Sequence, residues 1–224
     1  MILERKLKNA LLAKWLKIIF CLVVVFVFWF CLYDQALTVA LFFLRNGVNA
    51  GLLIVVTHAV SAITALIFLF IYNQFLGVIP IGSIKKSFKK DSILLFLLIV
   101  AIYIFFSLVT PKQSYTQLFF AYDKWTNLLR LLTIIFFAPI GEELVLRGFM
   151  LEAFISTLGK KWGWIIGSLL VSLFFSYIHH TQYDFMTLVS LFLVSLVFCW
   201  GRWKNGIVLS IMLHSFASLV AISI

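Results

Sequence analysis

The sequence predicts an all-α, polytopic membrane bundle, and three observations carry that expectation. Of 224 residues, 64% are hydrophobic and only 12% are charged. An average soluble domain is nearer half apolar and a quarter charged, so lipid is the expected solvent. The apolar residues also come in unbroken runs close to the ~20 residues needed to cross a hydrocarbon core. Helices and closed barrels are the structures that satisfy their backbone in lipid. Runs this long do not have the ~10-residue alternation of a barrel strand.

Seven spans are expected, near residues 16–33, 50–72, 92–110, 128–155, 164–179, 185–200 and 206–222. The apolar run over 18–32 is too long for a signal-peptide core and has no small-residue cleavage site, so it reads as a retained first span. Residues 36–44 extend that helix or lie at the interface. The chain is expected to be a single integral membrane domain, with three spans in 1–125 and a catalytic core in 126–224. Cys21, Cys31 and Cys199 lack metal-ligand or disulfide spacing and read as small packing residues.

Seven spans put the two termini on opposite sides, and the basic residues then choose between the sides. On the N-terminal side lie Arg5, Lys6, Lys8, Lys14, Lys17, Lys85, Lys86, Lys89, Lys90, Lys160, Lys161, Arg202 and Lys204. On the other lie Arg45, Lys112, Lys124 and Arg130. Basic loops mark the cytoplasm, which places the N-terminus inside. The net charge of +10 is therefore distributed loop by loop. Anionic headgroups of the bilayer are a sufficient partner for it, and the single basic face of a nucleic-acid binder is missing.

Three acidic residues fall within the fourth span: Glu142, Glu143 and Glu152. Glu152 is near the span's cytoplasmic end, within reach of the interface. A charge at the bilayer centre costs about 3 kcal/mol on insertion scales, so Glu142 and Glu143 must face protein or a wet cavity. Glu143 and Arg147 are four residues apart with the glutamate first, the favoured order for an ion pair. Glu142 lies about 100° round the helix and has no such partner, so it is expected to stay available as a base. Pro139 is expected to kink this fourth helix, and Gly141 to admit a close neighbour. Phe175 and His179 share one face of the fifth span, and His214 and Ser218 one face of the seventh. His58 reads as a packed, hydrogen-bonded residue.

Glu142-Glu143-x-x-x-Arg147, Phe175-x-x-x-His179 and His214-x-x-x-Ser218, in that order, resemble the motifs of the CPBP family. This is the CAAX-protease and bacteriocin-processing (Abi) family of intramembrane endopeptidases. The resemblance covers roughly residues 125–222; the first three spans match in hydropathy only. It implies that Glu142 activates water for attack on a peptide carbonyl, with His179 assisting and His214 and Ser218 holding the oxyanion. His179 is preferred over its neighbour His180 by the motif register. Ser218 stands where the family usually has Asn or Asp.

A Glu/His/His set also resembles zinc ligands, but no HExxH is present, so the expectation is water activation without a cofactor, zinc being the lesser alternative. The substrate implied is a membrane-associated peptide or lipopeptide, in bacteriocin maturation, self-immunity or signal processing. The competing reading is a non-catalytic membrane partner, or an immunity protein that acts by binding, in which the same polar residues only brace the bundle. Which membrane face the site opens to is left open by the sequence.

The charge distribution makes a direct prediction. Reporter fusions should find the N-terminus cytoplasmic and the C-terminus external. A cytoplasmic C-terminus would show that the span count is off by one.

Overall fold

The computed structural model describes residues 2–30, 42, 45–47, 49, 51–76, 91–110 and 120–224. Their regular structure is helical, with no strand among the described residues. Helix α1 covers Ile2–Trp29, α2 Gly51–Phe75 and α3 Asp91–Ser107. Residues 124–158 form one helical run, α4. After it come α5 (Lys160–Tyr177), α6 (Phe185–Asn205) and α7 (Ile207–Ser223). Each expected span coincides with one of these helices. Residues 36–44 lie almost wholly outside the described residues, as do Cys31 and the lysines at 85–90 and 112.

By length and composition, three helical stretches suffice to cross a bilayer: Leu11–Phe28 within α1, Gly51–Phe75 and Phe185–Asn205. The 17 residues of α3 and of α7 rise about 25 Å, short of the ~30 Å hydrocarbon core. Two lysines open α5, and α4 contains the acidic residues. Large apolar side chains such as Phe26, Phe70, Leu97 and Leu173 point outward, a distribution that suits contact with lipid.

Two adjacent contacts at each end of the bundle fix how neighbouring helices run. At one end the Asn49 amide donates to the Thr126 hydroxyl (3.2 Å), joining the starts of α2 and α4. There Asp123 caps α4 by accepting from the backbone N–H groups of Trp125 and Thr126. The Thr126 hydroxyl bond, the largest influence, and the backbone bonds hold the Asp123 carboxyl below the usual carboxylate range. At the opposite end, Ser92 donates to Asn205 (3.2 Å) and Lys204 meets Asp91 (3.7 Å), joining the start of α3 to the end of α6. Helices α2 and α4 start together and meet again at Ala62 and Gly141, so they run parallel.

The connection before α5 and the one after α6 are each a single residue. Gly159 alone separates α4 from α5, and Gly206 alone separates α6 from α7. Both have positive φ, 79° and 83°, a region that glycine enters without steric cost. The α4–α5 hairpin closes so tightly that a Cβ on Gly163 would stand 2.4 Å from the Ile155 Cα.

Helix α4 is central because it serves two cores. Leu146 and Leu151 pack with Ile99, Val171, Phe198 and Leu213. Leu144, Val145 and Phe149 pack with Val24, Tyr72 and Ile207. The run is regular α-helix over Lys124–Leu132, Ala138–Glu143 and Leu151–Leu158, with π-helical turns over Thr133–Phe137 and Leu144–Met150. In the first, the Ala138 N–H bonds back to Thr133 O; in the second, the Leu151 N–H bonds back to Leu146 O. Proline cannot donate and its ring crowds the carbonyl four residues earlier, and the wide turn directly before Pro139 gives that carbonyl room. Single π turns of this kind concentrate at functional sites, and these two bracket the glutamate pair.

Glu152, near the C-terminal end of α4, has a partner fifty residues away: its carboxylate accepts from Arg202 at 3.0 Å and is largely buried.

Candidate active site

The site begins with the burial of Glu143 and Arg147. Both side chains have no solvent exposure, and Arg147 Nη1 donates to Glu143 Oε1 at 2.8 Å. The second guanidinium nitrogen, Nη2, donates to Ser195 on α6, to its carbonyl at 3.2 Å and to its hydroxyl. The guanidinium lies 5.0 Å from the centre of the Phe175 ring and 5.3 Å from that of Phe198. Aromatic faces are a good environment for a cation denied water. One arginine thus ties α4 to both α5 and α6.

Glu143 does more than neutralise Arg147. Ser210 donates its hydroxyl to the other carboxylate oxygen, Oε2. His214 approaches Oε1 through Nδ1 at 2.9 Å. A carboxylate in an ion pair only accepts, so Nδ1 carries the proton of that bond. The imidazole is also stacked on Phe198, with ring centres 4.9 Å apart. His214 is therefore held at one nitrogen and one face, and its Nε2 is left pointing elsewhere.

That nitrogen lies 4.0 Å from Oε2 of Glu142. The separation is too long for a direct hydrogen bond and suits one water bonded to both groups. Glu142 is 7% exposed and makes no hydrogen bond to another described residue. Adjacent glutamates thus have different surroundings. One is bonded by three partners; the other makes no direct side-chain hydrogen bond among the described residues and has Oε2 4.0 Å from His214 Nε2.

Phe175 and His179 complete this wall. His179 Nδ1 is 2.8 Å from the Phe175 carbonyl, which can only accept, so Nδ1 again carries the proton and Nε2 is free. The Phe175 ring lies 5.0 Å from His179 and 5.5 Å from His214, filling the space between the histidines. His179 is close enough for the charges of Glu142 and His214 to act on it. His180 is exposed and stacks on Tyr177 with ring centres 4.8 Å apart. Ser218 is half-buried one turn beyond His214.

Gly141 brings α2 against this region. A Cβ there would stand 3.3 Å from the Ala62 backbone. His58, on α2, was expected to be a hydrogen-bonded packing residue. Among the described residues it makes no hydrogen bond, and the charges of Glu142, His179 and His214 all act on it. No group of three or more His, Cys, Asp or Glu is gathered closely enough to hold a metal ion among the described residues.

The comparison with known proteins falls on this same half. Residues 124–220 match the family described as type II CAAX prenyl endopeptidase Rce1-like. The match covers 97 of the 224 residues and marks a similarity to that family. The match is consistent with the CPBP family that the three motifs resemble, and it contains Glu142, Glu143, Arg147, Phe175, His179, His214 and Ser218. The Rce1-like family is a protease family embedded in membranes. The chain is also 26% identical over 171 residues to an uncharacterized 24.3 kDa protein of Escherichia coli, covering 74% of this chain and 78% of that protein. No solved structure matches it.

Sequence reasoning missed the contributions of Ser195, Ser210 and Phe198. Ser210 had a faint signal, because it precedes His214 by four residues and shares its face. Ser195 and Phe198 had none beyond lying in an apolar helix.

Removing one partner of a buried pair costs about 3–5 kcal/mol because it strands a charge. Glu143→Ala would strand Arg147 and release His214 and Ser210. Thermal unfolding in detergent should show a large loss of melting temperature for Glu143→Ala and little change for Glu142→Gln. Equal losses would contradict this division between the two glutamates.

Proposed function

We propose that this protein is an intramembrane endopeptidase that cleaves a lipid-anchored, membrane-associated peptide by glutamate-activated water. The observation that carries this reading is the 4.0 Å gap between Glu142 Oε2 and His214 Nε2, beside a second glutamate that is fully engaged. A base must be within reach of the water it deprotonates and must not be bound to something else. Glu142 meets both requirements; Glu143 fails the second.

The chemistry then runs as follows. Glu142 takes a proton from the water as the water oxygen bonds to the peptide carbonyl carbon. The carbonyl π pair moves onto its oxygen. The Ser218 hydroxyl donates to that oxyanion, and so does His214 Nε2 when the ring is doubly protonated. Collapse restores the carbonyl and breaks the C–N bond, and Glu142 passes its proton to the departing amine. His179, anchored on Phe175, assists by accepting a hydrogen bond from the water. The buried Glu143–Arg147 pair holds His214 in place and takes no part in proton transfer.

A seven-span arrangement with the N-terminus in the cytoplasm accompanies this reading. A farnesylated CAAX peptide is the natural probe, since the Rce1-like description names that reaction class. Glu142→Gln preserves shape but cannot take up the proton, so peptide cleavage in nanodiscs should fall at least about 100-fold, within the range of acid–base groups. His179→Ala and His214→Ala should be similarly impaired, while His180→Ala, whose ring faces outward, should stay near wild type. Undiminished cleavage by Glu142→Gln would remove it from the mechanism.

A further inference from the structure

His58 lies outside the Rce1-like half and belongs to none of the motifs, yet the fold brings it to the site. Residues four apart share a helix face, so His58 lies on the face of α2 that carries Ala62. That face meets α4 at Gly141, where a Cβ would stand 3.3 Å from both Ala62 N and Ala62 Cα. Glu142 is the next residue. Because α2 and α4 run in parallel from the contact of Asn49 with Thr126, His58 sits about one turn nearer that end than the Gly141–Ala62 crossing. This is the end at which α5 finishes and delivers His179. The charges of Glu142, His179 and His214 reach it.

The hydrogen-bonding capacity of the site gives this position a role. His214 commits its Nδ1–H to Glu143, and His179 commits its Nδ1–H to the Phe175 carbonyl. Neutral rings fixed this way turn lone pairs, not protons, towards the site. Glu142 adds carboxylate oxygens, which also accept. Until His214 takes a second proton, three of the groups around the reacting water are thus acceptors, whereas the oxygen of a carbonyl under attack needs donors from the start. Ser218 offers one hydroxyl. His180 is spent on the Tyr177 carbonyl and faces outward. His58 is the remaining histidine, makes no hydrogen bond among the described residues, and has an N–H to give in either neutral tautomer.

We propose that His58 is a substrate-contacting residue of the peptidase site, donating a hydrogen bond to the carbonyl oxygen of the scissile peptide. This assignment rests on the reading of Glu142 as the base. With it, the first half of the chain completes the site as well as packing against it.

The test uses the full chain in nanodiscs with a quenched fluorescent, farnesylated CAAX peptide. It compares wild type with His58→Leu, His58→Gln and Glu142→Gln. His58→Leu removes the donor, and kcat should fall about 100-fold, the usual cost of losing one oxyanion donor, with KM little changed. His58→Gln keeps an N–H donor and should retain most of kcat. Should His58→Leu fail to fold, as judged by thermal melting, His58→Phe serves as the donorless variant. Near-wild-type kcat in the donorless variant, with Glu142→Gln inactive, overturns the assignment of His58 and leaves Glu142 as the base. Equal losses in the glutamine and donorless variants overturn it in favour of a packing role. An active Glu142→Gln, or a wild type that leaves the peptide uncut, overturns both readings together.

Discussion

The structure depends most on the ion pair between Glu143 and Arg147. Two charges with no solvent exposure are tolerable in an apolar bundle only if each is matched and hydrogen-bonded. Here the matching uses partners from the three helices that follow α4 in the chain. Ser195 comes from α6, Ser210 and His214 from α7, and the rings of Phe175 and Phe198 from α5 and α6. Satisfying that pair therefore fixes the relative positions of four helices. Placement of His214 follows from the same demand. Its ring is where Glu143 needs a third donor, and its outer nitrogen consequently faces Glu142.

This explains how adjacent, chemically identical residues take different roles. On a helix they point about 100° apart, so one enters the network and the other lies beside it. The π turns that flank the pair shift the helix phase on either side of 138–143, and they free the run from having to present one regular face. Close approach of α2 at Gly141 then closes the other side of Glu142 with Ala62, placing His58 nearby. A larger residue at 141 would need the two backbones to separate.

Much of this was legible in the sequence, for reasons specific to each feature. Hydropathy located the seven helices named among the described residues, because long apolar runs leave few alternatives in lipid. Spacing alone paired Glu143 with Arg147, since an i,i+4 contact needs no tertiary information. The serines show where that legibility ends. Thr57, Ser61, Ser215 and Ser223 bond back to carbonyls four residues earlier in their own helices, the common local habit of hydroxyls in apolar helices. Ser210 looks the same in sequence but donates across to Glu143. Only the packing of α7 against α4 separates it from Ser215, five positions on. The surroundings of His58 were illegible for the same reason, because they come from a crossing 80 residues away. Pro139 signalled a disturbance in α4, but not that it would take the form of π turns on both sides of the glutamates.

The central claim is that Glu143, not Glu142, holds His214 by Nδ1. Two-bond ¹H–¹⁵N correlation spectra of histidine-labelled protein report this directly, since they separate the two ring nitrogens and register the strength of the bond each makes. In the wild type the His214 Nδ1–H should appear far downfield, as expected of a charge-assisted bond to a carboxylate. It should move well upfield in Glu143→Gln and keep its place in Glu142→Gln. A signal that shifts with Glu142→Gln and is indifferent to Glu143→Gln would contradict the account.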